Sequence, residues 1–153
     1  MENNARDRVG RRFLMAAGSL GLCRLRGQPV ASIRPEPKRG PRQDADLVKA
    51  FVVAAHSDSN LARIQEMLAR DANLVLASHD WGGGDWETAL GGASHIGSRK
   101  MAEYLLTHGA RMDSVCAAML GQRDVVSALV RANPAVATSK GPHGYTLLYH
   151  AAI

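Results

Sequence analysis

Twenty-seven residues, Glu87 to Asp113, constrain this chain more than any other stretch: E-T-A-L-G-G-A-S-H-I-G-S-R-K-M-A-E-Y-L-L-T-H-G-A-R-M-D. Thr88 carries a hydroxyl that can accept a hydrogen bond from a free helix N–H, so it marks a helix start. The small residues from Ala89 to His95 let another helix approach closely. Gly97 can take a positive φ and end that helix. Met101, Ala102, Leu105 and Leu106 then recur at helical spacing and form one apolar stripe, with Lys100 and Glu103 off it. Gly109, after Thr107-His108, is a helix stop. The window reads as a helix–turn–helix hairpin with an apolar face that a neighbour must cover.

The flanking sequence supplies such neighbours. Ala93 sits four residues before the turn residue Gly97, and Ala102, Leu105 and Leu106 sit five, eight and nine after it. The same offsets from Gly121 give Ala117, Val126, Leu129 and Val130, and from Ser59 they give Ala55, Ile64, Met67 and Leu68. Near the end of the chain, Thr146, Leu148 and Ala151 repeat the spacing of Thr88, Leu90 and Ala93. Two of the hairpins share an ending, Asp71-Ala72-Asn73-Leu74 and Asn133-Pro134-Ala135-Val136, placed 62 residues apart.

The window resembles the helical part of an ankyrin repeat, which runs T-P-L-H-x-A-A-x-x-G, then an apolar-periodic helix, then L-L-x-x-G-A. Thr88, Leu90, Ala93, Gly97, Leu105, Leu106, Gly109 and Ala110 fall on that pattern. The resemblance covers residues 46–153. The chain departs from the pattern where Ala89 and Gly91 replace the motif's Pro and His, and where Leu147 and Tyr149 do so in the last repeat. The turn residues stand 38 and then 24 apart, against a family period of about 33. The shorter gap leaves no room for a β-hairpin finger before Ser114. What the resemblance implies is an all-α, ankyrin-like solenoid over residues 44–153, with about three helix–turn–helix repeats and a partial terminal repeat. Such arrays present a stacked surface to other proteins.

The longer gap holds S-H-D-W-G-G-G-D-W, the one unusual surface segment. Read structurally, its three glycines make a tight irregular turn and its tryptophans cover the end of the helix stack. Read functionally, it is a recognition loop, since Trp offers large contact area at low entropic cost. In the ankyrin family this place belongs to the finger, part of the usual concave binding face. His79, Asp80, Trp81, Asp85, Trp86 and Glu87 are therefore the expected partner-binding residues, with both tryptophans at least partly exposed.

His56 and His95 close the first helices of adjacent repeats and would lie near each other along the concave side. A histidine at a helix C-terminus ordinarily meets the helix dipole or a free carbonyl. With Asp80 or Asp85 the pair would instead make a metal site or an acid–base pair. Ser78-His79-Asp80 has the residue types of a catalytic triad, but adjacent residues cannot assemble its geometry. Gly82-Gly83-Gly84 lacks the Lys and Ser/Thr that follow in a phosphate loop.

Charge is divided along the chain. Residues 1–43 carry ten Lys/Arg against three Asp/Glu, a net +7, while the remainder carries nine against eleven, a net −2. The folded part is slightly acidic, so the basic balance does not point to nucleic acid. The first 43 residues read as a leader outside the fold. Arg11-Arg12 precede the apolar run Phe13 to Leu22, a layout that resembles a twin-arginine export signal. Arg24 and Arg26 after the run argue equally for a basic leader that is never exported. The location is accordingly periplasmic if the leader is a signal, and cytoplasmic otherwise. Residues 34–43 are a charged, Pro-rich linker. Cys23 and Cys116 make no disulfide framework. Cys116, inside V-C-A-A-M-L, reads as a buried small hydrophobe.

The function expected from these readings is a protein–protein interaction module without catalysis, metal or cofactor, centred on the Trp-Gly loop. The alternative is a small metal- or ligand-binding protein, or a hydrolase, using His56, His95 and the loop carboxylates. A third reading is the relic of a longer array. Tyr145 to Ile153 is a first helix with no second helix after it, and its apolar character would allow a homodimer through that helix.

Overall fold

The computed structural model describes residues 40–153, which form a compact unit of their own. Cys23, the apolar run and most of the leader and linker lie outside the described residues. Seven α-helices are present among the described residues: α1 Ala45–Ala54, α2 Leu61–Arg70, α3 Ala89–His95, α4 Arg99–Thr107, α5 Ser114–Met119, α6 Arg123–Ala132 and α7 Leu147–Ala152. None of them is long and apolar enough to cross a membrane.

Local chemistry explains where most of these helices begin. The side chains of Asp44, Thr88, Ser98, Asp113 and Thr146 each accept a hydrogen bond from a backbone N–H in the first turn of the helix that follows. Such caps satisfy donors that the helix itself leaves free. The shared ending of two hairpins has a structural counterpart. The side chains of Asp71 and Asn133 accept from the N–H two residues ahead, at 2.9 Å and 3.2 Å, and each opens a short 3₁₀ turn.

The helices pair as α1 with α2, α3 with α4, and α5 with α6, and the first helices form a row in which α1 meets α3, α3 meets α5, and α5 meets α7. Gly97 and Gly121 sit at φ +73° and +72° in the second and third turns. Behind them, Ser98 N–H bonds Ala93 at 2.9 Å and Gln122 N–H bonds Ala117 at 2.8 Å. The first turn is built differently. Ser59 lies in a 3₁₀ turn, Asp58–Asn60, and the Asn60 amide ties the turn to the Ala54 carbonyl at 3.1 Å. The core lies between the row and the second helices, around Phe51, Ile64, Leu90, Met101 and Leu105. Burial of each such side chain stabilises by about 1.5–3 kcal/mol relative to exposure.

Three expectations need correction. The chain is not purely α. Ser78–Asp80 (β1) and Trp86–Thr88 (β2) pair antiparallel, Ser78 opposite Thr88, because Gly82, Gly83 and Gly84 all take positive φ and turn the chain back. The apolar stripe of the third hairpin is not buried. Val126 and Val130 are half-buried and Leu129 is exposed, since α6 packs mainly on α5 and on the 3₁₀ turn Pro134–Thr138. In α7, Leu148 and Ala151 do not take the buried roles of Leu90 and Ala93. Leu147 and His150 are buried instead, and Leu148 is 80% exposed. A short helix that packs on α5 with one side can bury only that side.

Candidate functional site

The site is built at the base of the β1–β2 hairpin. At the tip, Asp80 accepts from Gly82 N–H at 2.8 Å, and Trp81 N–H bonds the Asp85 carbonyl at 2.9 Å. Successive side chains of a strand point to opposite faces. In β2 this sends Trp86 out, 58% exposed, and Glu87 in, with its carboxylate buried. Glu87 is therefore not an exposed contact residue. It and Trp86 are neighbours in one strand and cannot face the same way. Trp81 is 37% exposed, so both tryptophans are partly exposed as the sequence predicts.

Glu87 is the centre of a histidine cluster. Its Oε2 accepts from Trp81 Nε1 at 2.8 Å and lies 3.2 Å from His56 Nε2 and 3.4 Å from His143 Nε2. His95 Nδ1 stands 2.9 Å from the other oxygen, Oε1. That last approach is off the line of a hydrogen bond, and both atoms are buried without a hydrogen-bond partner among the described residues. Burial by itself pushes the Glu87 carboxyl up. The hydrogen bonds from His56 and Trp81, with the His95 ring close by, outweigh it and hold the carboxyl far below the usual carboxylate range. The imidazole centroids of His56 and His95 are 4.8 Å apart, and those of His95 and His143 are 5.1 Å apart.

Each member of the cluster reaches it for a local reason. His56 follows the last turn of α1, its N–H bonded to Val53 O at 3.2 Å. It can lie over α3 because Gly92 has no side chain. A Cβ there would come within 2.6 Å of the His56 Nε2. His95 ends α3. His143 sits in a second turn, Pro142–Gly144, closed by Gly141 N–H to Tyr145 O at 2.8 Å and by the bridge between Lys140 and Thr146. Its φ of +56° makes it the non-glycine residue with positive φ among the described residues. Asp85 holds it there. The carboxylate accepts from His143 N–H at 3.0 Å and pairs with His143 Nδ1 at 2.8 Å. The backbone N–H of His143, then its ring, keep the Asp85 carboxyl below its ordinary value.

The expected meeting of His56 and His95 is present, but the carboxylate between them is Glu87, and neither Asp80 nor Asp85 fills that place. Asp80 serves the hairpin turn and Asp85 orients His143. His79 packs edge-on against Trp81, with centroids 4.5 Å apart. His143 was not among the expected residues. Its signal was available: His143 stands three residues before the capping Thr146, as Asp85 stands three before Thr88. No protein-family model matches this chain, no curated protein matches it, and no solved structure matches it.

Proposed function

We propose that this chain is an ankyrin-type module that binds a protein partner without catalysis, through the face that carries the Trp-Gly hairpin. The observation that carries the reading is Trp86, an indole 58% exposed on a hairpin whose base is internally fastened. Glu87 bonds Trp81 on one side of the hairpin, and Asp85 bonds His143 on the other. An exposed aromatic on a fastened element loses little conformational freedom when it docks, and Trp is enriched at binding hot spots. Further support comes from the paired helices in a row, the recurring glycine turns after α3 and α5, and the hairpin inserted ahead of α3. The paired helices in a row are compatible with the family resemblance. A second copy of this chain would meet the first at α7, where Leu148 is exposed.

The test is affinity capture from host lysate with the full chain and with Trp86→Ala, after circular dichroism shows both folded. The expected result is a protein retained by the wild type and lost with the variant. Identical capture by both proteins, or none by either, would overturn the reading.

A further inference from the structure

We infer that His56, Glu87, His95 and His143 form a binding site for a divalent first-row transition metal, with Zn²⁺ as the fitting ion. The proposal is independent of the partner-binding reading. It starts from separations. Ligands bound to zinc at about 2.0–2.1 Å and tetrahedral angles stand about 3.3–3.4 Å from one another. The Glu87 oxygens lie 3.2 Å from His56 Nε2, 2.9 Å from His95 Nδ1 and 3.4 Å from His143 Nε2. The ligand atoms of His56, Glu87 and His95 all lie within 4.8 Å of one another. Those three form the mutually close group, and His143, near Glu87 alone, would have to rotate inward to complete a four-ligand shell.

The polar accounting points the same way. A buried polar atom normally has a partner, and an exception asks for an explanation. Glu87 Oε1 and His95 Nδ1 are buried, close and misaligned for a hydrogen bond. A cation between them would satisfy both. His143 adds a separate argument. A histidine that binds a metal through one nitrogen commonly gives the other N–H to a carboxylate, which fixes the tautomer. The Nδ1 of His143 faces Asp85 at 2.8 Å, so its Nε2 is the nitrogen turned to the cluster. With Nδ1–H donated to Asp85, the Nε2 lone pair faces the Glu87 carboxylate, an arrangement that a cation makes favourable. The positive φ at His143 fits a residue held in place by its surroundings. Gly92 keeps open the space that His56 occupies.

Donor chemistry selects the metal class. Three imidazoles with one carboxylate suit zinc and its neighbours, whereas Ca²⁺ and Mg²⁺ prefer shells of oxygen ligands. Four protein ligands would close the shell, as in structural zinc sites. The ion would then fasten three separate segments: the end of α1, the β2–α3 unit, and the turn before α7.

The test uses metal-free full-length protein carrying Trp86→Phe, which leaves Trp81 as the only tryptophan of the chain's two. Trp81 donates to the proposed ligand Glu87, so its fluorescence reports on the site directly. Titration with Zn²⁺, followed by fluorescence and calorimetry, is expected to show one tight equivalent, while millimolar Mg²⁺ has no effect. The variants His95→Ala and Glu87→Gln are each expected to lower the affinity at least tenfold. Asp85→Asn removes no ligand and leaves the core untouched, and should lower it about 10- to 100-fold through the orientation of His143. It keeps the proposal testable if His95→Ala or Glu87→Gln does not fold. No saturable equivalent of Zn²⁺ in the parent protein would overturn the site. So would affinity within twofold of the parent in Asp85→Asn and in every ligand variant that folds, because the metal would then sit elsewhere, for example on the exposed His108.

Discussion

Gly92 lies flush against the imidazole of His56: a Cβ on Gly92 would stand 2.6 Å from His56 Nε2. The small residue is a condition for the cluster around Glu87, not filler in a short helix. Gly92→Ala must displace the His56 ring from its place beside Glu87. Alanine favours a helix by about 0.8–1 kcal/mol over glycine, but overpacking of this kind costs about 1–3 kcal/mol. The expected outcome is a net loss of stability in urea unfolding despite the better helix former. A stabilised Gly92→Ala variant would show that His56 has room to spare.

Glu87 gives an acid-sensitive contribution in the metal-free protein. Its folded-state carboxyl lies far below its unfolded value, because the His56 and Trp81 donors, with the His95 ring close by, outweigh the cost of burial. The stabilisation is therefore fully present above the unfolded value of about 4.3 and is lost as pH falls below it toward the folded value. Glu87→Gln should cost about 1–3 kcal/mol at pH 7, the scale for leaving buried polar groups without their acceptor. It should also flatten the decline below pH ~4.3. Urea midpoints at pH 7 and at pH ~3.5, for wild type and variant, check both statements.

Trp86 and Trp81 should separate cleanly. Trp86 is exposed, and Trp86→Ala should change stability by no more than about 0.5 kcal/mol. Trp81→Ala removes the indole N–H from Glu87 Oε2 and the ring from His79 and His143, and should cost about 1–3 kcal/mol. Thermal unfolding of the two variants side by side measures the difference.

Cys116 should be chemically silent in the native state. Burial pushes its thiol up to about 11. Thiolate is the reactive form. With Cys23→Ser leaving one thiol, a disulfide reagent at pH ~8 should label Cys116 only as fast as the protein opens, and at once in urea. Rapid labelling of the folded protein would contradict the burial.

How much of this was legible beforehand depends on how local the cause is. Thr88 as a cap, Gly97 and Gly121 as turns, and Met101, Ala102 and Leu105 as a buried stripe follow from hydrogen bonding and spacing within one hairpin. The sequence also carried the meeting of His56 and His95, because both close first helices of adjacent hairpins. The hairpin in 78–88 was half legible: the glycines announced a turn, but pairing across it depends on the partner strand. Leu129 and Leu148 look like core residues from their spacing alone. Only the packing of α6 and α7 decides that they are not, since a periodic apolar face is buried only where another element covers it.

The sequence by itself determined the helices, their caps and the order of the hairpins, because each follows from forces acting over a few residues. The tertiary structure decided that Glu87 turns inward while Trp86 turns outward, and that His143 arrives from 56 positions further along the chain to complete the cluster. Inward and outward differ by one residue of strand register, and register is set by what lies on the far side of the strand.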